Sequence, residues 1–383
     1  MNSRKIENII FKAQIIVWTM LLFCFYFQVP FKRMATCIVP LFVVYILLNF
    51  CRMERVECKK DGFLLYTILT LYLCSSAFFS LLKGAQSGKV VRFFLILMII
   101  PLCFLARSRD FKWEYKILMY LSVLKSLYLI YMACRMIIAG TYLPFRAYAE
   151  TNGFGDMYFV YGFIPRIQIY GNALLVMAFI VNVYYRKKIT LQNAIILLGI
   201  AIAGNFAFIL GIFTYMVYVI IHNYIKNPRK LINRMVIILS VVMALIFISY
   251  ANIEMTRKAN GSNSYKITQA SMLINTNALI GEGLGSSVSE NINLGVNPDT
   301  NYYELQTLYI YYQIGMVGIS LFYIVTLYFC WLNGRDVLIL YLIYLLYTFF
   351  NPYCFDTTQM ISIILLMNTK SIISRQESIQ IIQ

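Results

Sequence analysis

Apolar segments long enough to cross a membrane recur along almost the whole chain. A bilayer core about 30 Å thick requires about 20 mainly apolar residues per helix. The segments are continuous rather than alternating, which favours helices over the strands of a β-barrel. We therefore predict an all-α, polytopic integral membrane protein in which residues 1–383 form a single transmembrane domain of about 12 helices.

Two polar segments interrupt this apolar sequence. The longer covers residues 251–305 and the shorter covers residues 140–166. Long connections in compact proteins are usually functional or disordered, so both segments are candidates for the functional part of the molecule. The predicted spans are 13–29, 34–50, 62–82, 90–106, 117–139, 167–185, 194–204, 206–222, 235–250, 306–330, 337–350 and 359–373.

The distribution of positive charge predicts how the chain is oriented. With the N-terminus inside, the inner segments contain 21 of the 33 Lys and Arg residues and the outer segments contain 11. The positive-inside rule then places both termini in the cytoplasm and both polar segments outside. The net charge of +17 does not indicate nucleic-acid binding, because most cations lie in short connections between spans.

The outer cations are more numerous than this rule leads one to expect. Arg146 and Arg166 lie in the shorter polar segment, and Lys125 and Arg135 lie within the fifth predicted span. A charge at the bilayer centre costs at least about 2.5 kcal/mol. We interpret these cations as the lining of an external, anion-binding cavity. The alternatives are local ion pairing or contact with lipid headgroups and, for Arg135, snorkelling to the interface.

The longer polar segment contains three further candidates. The run Gly281-Glu282-Gly283-Leu284-Gly285 lacks the preceding strand of a dinucleotide site, so we predict a tight turn with close backbone approach. Asn301 and Glu304 have the spacing of a helix capping box, although free N–H groups there could instead bind an anion. Asp299 is a candidate general base.

The sequence also indicates which chemistries are absent. Its one histidine, His222, falls at the inner face, so no outer histidine is available as a base. The nine cysteines form no C-x-x-C pair and predict neither a disulfide framework nor a zinc site. We therefore predict no metal and no cofactor.

These motifs together resemble the O-antigen polymerase and O-antigen ligase superfamily of bacterial surface polysaccharide assembly. The resemblance covers roughly residues 140–330. Its motifs are Arg166 followed by Gly171-Asn172, the run Gly281–Gly285, Asn301-Tyr302, and Gly315-Met316-Val317-Gly318. Asp299-Thr300 stands where the ligases carry a histidine, which favours a polymerase. Gly204-Asn205 stands where the family often has Ser-Arg, and Lys266, or alternatively Arg257, is the nearest match to a second family arginine.

The resemblance implies a metal-independent glycosyltransferase of the bacterial inner (plasma) membrane. Such an enzyme joins repeat units carried on undecaprenyl diphosphate, for lipopolysaccharide O-antigen or for capsule, and its partners are membrane lipid, a chain-length regulator and a flippase. Arg166, Arg146 and Lys266 are expected to stabilise the leaving diphosphate, with Asp299 as base. The expected substrate-binding residues are Arg146, Arg166, Arg257, Lys266, Arg135, Asn301 and Gly283. The alternative functions are a lipid-linked oligosaccharide flippase, another multi-span transporter, or a membrane scaffold.

Overall fold

A computed structural model describes most of the chain. The described residues are 3–29, 31, 34–52, 60–106, 111–139, 142–152, 155–160, 162–186, 189–226, 262–274, 277–287, 303, 305–349 and 351–368. The predicted span at 235–250 lies outside them, as do the candidate residues Arg257, Asp299 and Asn301.

Helices dominate the described residues, and four of them are long and apolar enough to cross a membrane by length and composition. These four are α1, α3, α5 and α11. The helices are α1 (Ser3–Tyr26), α2 (Met34–Phe50), α3 (Lys60–Leu82), α4 (Ser87–Cys103), α5 (Lys112–Ala139), α6 (Tyr142–Thr151), α7 (Asn172–Arg186), α8 (Leu191–Ala203), α9 (Phe206–Lys226), α10 (Ser262–Ile274), α11 (Gln306–Leu332), α12 (Arg335–Thr348) and α13 (Thr357–Asn368). The prediction of a mostly helical protein is confirmed, and the four long apolar helices are consistent with a membrane protein, whereas twelve spans remain a prediction.

The burial pattern agrees with a membrane setting. Every residue of α7 from Asn172 to Val183 is buried, as expected for a helix in the centre of a bundle. The outer helices α2 and α3 instead expose large apolar side chains, among them Val39, Phe63 and Leu71. Apolar surface of this extent is unusual on a soluble monomer but suits contact with lipid.

The helix connections gather at two ends of the bundle. One end, called the hairpin end below, holds a β-hairpin and joins the predicted outer connections. Contacts there include Gly171 with Tyr26, Gly204 with Arg166, Phe208 with Tyr353, and Phe355 with Gln306. At the opposite end, the amides of Asn333 and Asn368 donate to the carbonyls of Phe104 and Ala106. This segregation fits the predicted alternation of spans, although which end faces the cytoplasm stays a prediction.

The structure corrects two parts of the sequence interpretation. The segment 140–166 contains helix α6 and strand β1 (Gly155–Val160) and continues into strand β2 (Ile164–Ile169), so the fold is not purely α-helical. Helix α7, which corresponds to the sixth predicted span, accordingly begins at Asn172, and the prediction of a span from 167 was wrong at its start. The segment 251–305 contains helix α10 and an ordered glycine turn at 277–287, and is therefore not simply an irregular loop.

Candidate functional site at the hairpin end

The β-hairpin presents one polar and one apolar face. Its antiparallel register places Asp156 opposite Gln168 and Tyr158 opposite Arg166. Alternate residues of a strand point to the same side, so these four side chains share one face. Residues Met157, Ile167 and Ile169 on the other face are buried in the core. The hairpin thus holds its polar side chains by packing its apolar face.

Arg166 is held tightly on the polar face. Only 5% of the residue is exposed, and its guanidinium carbon lies 5.3 Å from the centroid of the Tyr158 ring. With the Gln168 amide turned so that its oxygen faces Arg166, that oxygen accepts hydrogen bonds from Nη2 at 2.7 Å and Nε at 3.2 Å. Among the described residues no carboxylate forms an ion pair with Arg166. Within the part of the chain that the structure describes, the positive charge of this guanidinium is therefore not neutralised by an ion pair.

Gly204 explains how Arg166 fits beside helix α8. This residue ends the helix in the left-handed conformation, with a φ of 59°. A Cβ atom at position 204 would lie 2.7 Å from Cγ of Arg166. The cation is therefore packed against a helix C-terminus, whose dipole favours positive charge. At sequence level Gly204-Asn205 was a departure from the family pattern, and the structure makes it a contact of the candidate arginine.

Arg146 joins the same face but is neutralised locally. Its Nε donates to Oε1 of Glu150 at 2.9 Å and to Oδ1 of Asp156 at 3.0 Å. The structure therefore brings Arg146 and Arg166 to one face, as the cavity prediction requires. The structure also shows that Arg146 forms local ion pairs, which was the alternative to its lining an anion-binding cavity.

Lys125 is buried rather than lining an open cavity, so that prediction was wrong. Its Nζ donates to the carbonyl of Tyr26 at 2.8 Å and to that of Tyr170 at 3.1 Å. Tyr26 is the last residue of α1, where carbonyl groups lack helical partners, and Tyr170 follows β2. Lys125 thus fastens the hairpin to α1 and α5. Arg135, further along α5, is exposed.

The glycine run forms the tight turn that its sequence predicts. Gly281, Gly283 and Gly285 have φ angles of 72°, 102° and 78°, which favour glycine. A Cβ atom at Gly281 would lie 2.5 Å from the carbonyl oxygen of Gln313. At Gly283 it would lie 2.8 Å from Cβ of Ser80. The predicted close backbone approach is confirmed, and Gly283 contributes to it through packing.

Helix α11 is broken beside this turn. At Gly315 the backbone leaves the helical conformation, with φ 65° and ψ −175°, about 14 Å from the start of the helix. The amides of Glu282 and Gly283 donate to the carbonyls of Tyr312 and Gln313, both at 2.9 Å.

The first backbone amides of the second half of the broken helix also find hydrogen-bond partners in the glycine turn. The amides of Met316 and Val317 donate to the carbonyls of Ala278 and Leu279 at 2.9 and 3.1 Å. The hydroxyl of Tyr72 donates to the Ile314 carbonyl at 2.6 Å. Irregular backbone at membrane depth is tolerated where protein covers it, and here the glycine turn provides the cover.

Lys266 lies on a different part of this end from the two arginines. It is partly buried on α10 and shares one side of that helix with the buried residues Gln269 and Leu273. Leu273 packs with Tyr303 and Tyr309 at the start of α11. Lys266 therefore belongs to the side of the glycine turn, whereas Arg146 and Arg166 belong to the hairpin.

Three candidates from the longer polar segment have no described position: Asp299, Arg257 and Asn301. Helix α11 begins at Gln306, with Leu305 in the N-cap position. The predicted capping box of Asn301 and Glu304 therefore does not start this helix.

Sequence reasoning missed Asp356, an acid at the hairpin end. This residue precedes α13 and accepts hydrogen bonds from the backbone N–H and hydroxyl of Thr358, at 2.9 and 2.8 Å. Burial raises the pKa of its carboxyl to about 6, while the bonds from Thr358 and Gln359 and the charge of Arg92 oppose that shift. The spacing Asp356 to Gln359 before an apolar run is a capping-box pattern that could have found it.

In the part of the chain that the structure describes, no group of three or more His, Cys, Asp or Glu side chains is arranged to hold a metal ion. No family model matches the chain, and neither a curated protein nor a solved structure matches it. Function is therefore inferred from the sequence motifs and from the geometry of the hairpin end.

Proposed function

We propose that the protein is a membrane glycosyltransferase that polymerises oligosaccharide repeat units carried on undecaprenyl diphosphate. The reaction takes place at the hairpin end, which we assign to the outer face of the bacterial inner membrane with both termini in the cytoplasm. The observation that carries the proposal is Arg166, a buried and rigidly packed cation with no carboxylate partner among the described residues.

The chemistry requires positive charge at one place. The acceptor hydroxyl attacks the anomeric carbon of the donor glycan, and the bond from that carbon to the diphosphate oxygen breaks. Negative charge then builds on the departing lipid diphosphate, and a cation fixed in advance stabilises that transition state. A guanidinium suits this task because its planar fork binds phosphate oxygens in pairs. In this proposal protein cations supply the charge, without a metal ion.

The other candidates take supporting parts. Arg146 holds Asp156 on the polar face of the hairpin, and Lys266 lies on α10, the helix that precedes the glycine turn in the chain. Asp299 remains the proposed base that takes the proton of the acceptor hydroxyl. A chain-length regulator and a flippase remain the proposed protein partners.

Substitution of Arg166 tests this function. In a deletion strain complemented with the variant, Arg166→Ala should abolish long glycan while single repeat units and protein level persist. Arg166→Lys keeps a charge but loses the fork, so we expect reduced polymer. Arg335→Ala is the matched control, because Arg335 is exposed at the opposite end. Glycan gels and immunoblots give the readout, and normal long chains in Arg166→Ala would contradict the proposal.

A lipid-linked oligosaccharide flippase is the second candidate, and the broken helix α11 favours it. Transporter sites are typically built from discontinuous helices near the middle of the membrane. The location of the accumulated intermediate in a deletion strain separates the two functions. A single repeat unit on the outer leaflet indicates the polymerase, and one on the inner leaflet indicates the flippase.

A further inference from the structure

Polar atoms without partners are concentrated where α1, α2 and α5 meet, at the end opposite the hairpin. Within the described residues, the following side-chain atoms lack a hydrogen-bond partner there: Nε2 of Gln14, both amide atoms of Asn49, and Nε of Arg52. Gln14 and Asn49 are fully buried, and Arg52 is 9% exposed. Buried polar groups are almost always hydrogen-bonded, so this concentration needs an explanation.

The surrounding contacts show that these groups face one another. Nη1 of Arg52 donates to Oε1 of Gln14 at 2.6 Å, which joins the end of α2 to α1. Nε1 of Trp18 donates to the Glu114 carbonyl at 3.0 Å, which joins α1 to α5. The Trp18 and Tyr45 rings are 4.7 Å apart. The side chains of Glu114, Gln14 and Arg52 all lie close enough to the Tyr45 hydroxyl to act on it.

The charges in this place limit what could fill it. Arg52 is positive, which disfavours a cation, and the free amide oxygen of Asn49 disfavours an anion that only accepts hydrogen bonds. The free groups include donors, on Gln14, Asn49 and Arg52, and an acceptor, on Asn49. A neutral molecule that both donates and accepts hydrogen bonds is required. The nearly complete burial of these residues favours a very small one.

We propose that the space among Gln14, Asn49, Arg52 and Glu114 is a binding site for ordered water. The water hydrogen-bonds the free amide groups of Gln14 and Asn49 and the free guanidinium nitrogen of Arg52. Internal water of this kind has two to four polar partners and is costly to remove. It also lowers the cost of keeping the Arg52 charge among apolar helices, because it replaces part of the hydration of that charge. The site is independent of the glycan chemistry proposed for the hairpin end.

Replacement of Asn49 by leucine, a near-isostere, gives opposite results for a wet and a dry site. If water is bound, Asn49→Leu removes two of its partners, and we expect the Tm of the purified full-length protein to fall by about 2 °C or more. If the site is dry, the variant removes two unpaired polar atoms and Tm rises. Asn368→Leu calibrates the scale, because the Asn368 amide donates directly to two carbonyls and its loss must lower Tm. An unchanged or raised Tm for Asn49→Leu overturns the proposal.

A second measurement uses the unmodified protein and so does not depend on the folding of a variant. Hydroxyl radicals generated from water by an X-ray pulse label side chains beside bound water. Tyr45 and Tyr341 are both fully buried, but the Tyr341 hydroxyl has a protein partner in Gln359. We expect Tyr45 to be labelled several-fold faster than Tyr341, as measured by mass spectrometry. Equal labelling of the two tyrosines would show that the site is empty.

Discussion

The hairpin and the glycine turn lie at the same end of the bundle but are held in place by different means. Charged side chains anchor the hairpin, since Lys125 fastens its base and Arg166 packs on Gly204. The glycine turn is held by backbone hydrogen bonds to the broken helix, which form because side chains are absent. The hairpin should therefore respond to the loss of a charge, and the turn to the gain of a methyl group.

The largest expected effect comes from adding a methyl group to the turn. Gly281→Ala combines a φ of 72° with a Cβ 2.5 Å from the Gln313 carbonyl oxygen. We expect a loss of about 3 kcal/mol or more of the free energy of unfolding, seen as a lower Tm and poor accumulation. Gly84→Ala is the control, because Gly84 has a φ of 84° and a Cβ added there would meet no atom within 4 Å. Equal Tm values for Gly281→Ala and Gly84→Ala would show that the close contact between Gly281 and the Gln313 carbonyl does not limit stability.

Loss of the Lys125 charge should have a smaller effect on the hairpin. Lys125→Met removes two hydrogen bonds, from Nζ to the carbonyls of Tyr26 and Tyr170, and this loss outweighs the relief of removing a buried cation. We expect a net cost of about 2 kcal/mol, measured as a fall in Tm. Lys116→Met on the same helix should change little, because Lys116 is exposed. If Lys125→Met were more stable than the parent, the hairpin would not depend on this charge.

The smallest expected effect on stability comes from Asp356. This residue lies in the connection between α12 and α13, which contacts both α9 and α11. Its neighbours Phe355 and Tyr353 contact Gln306 of α11 and Phe208 of α9. Because the folded protein raises the pKa of Asp356 from 3.8 to about 6, the folded state binds the proton more tightly than the unfolded state. Stability should therefore rise as the pH falls through 6 towards 4.

Asp356→Asn removes this dependence and keeps the helix cap, since asparagine is an equally good N-cap residue. We expect the Tm difference between wild type and Asp356→Asn to shift in favour of wild type as the pH falls from about 6 to about 4. Thermal unfolding across this range provides the measurement. A difference that is constant with pH would mean that Asp356 titrates as in the unfolded chain.

The two regions also differ in how far sequence could predict them. The glycine turn was predictable because three glycines in five residues have a local conformational meaning. The hairpin was missed because a short apolar run such as Ile164–Ile169 cannot be assigned to strand or helix from periodicity alone. Arg166 was singled out as a cation of the shorter polar segment, but its packing on Gly204 depends on a helix end far away in sequence.

The other differences between the sequence predictions and the structure, at Lys125 and Gly315, also arise from contacts between residues distant in sequence. The sequence identified Lys125 as a charge within a span, yet its partners are backbone carbonyls, which leave no trace in residue identity. Gly315 sits in an apolar run whose sequence predicts an uninterrupted helix. Its break is visible only once residues 278–283 are placed beside it. Backbone contacts between residues distant in sequence therefore account for most of the structural features that the sequence did not predict.

The break in α11 has a consequence for how the chain is made. The groups that satisfy its exposed amides and carbonyls come from Tyr72 and from residues 278–283, all of which precede Gly315 in the sequence. A ribosome therefore finishes every partner before the interrupted segment emerges for insertion. The unbonded amides and carbonyls at the break can therefore form hydrogen bonds as soon as the segment inserts. They need not remain unbonded in the bilayer while later segments are synthesised.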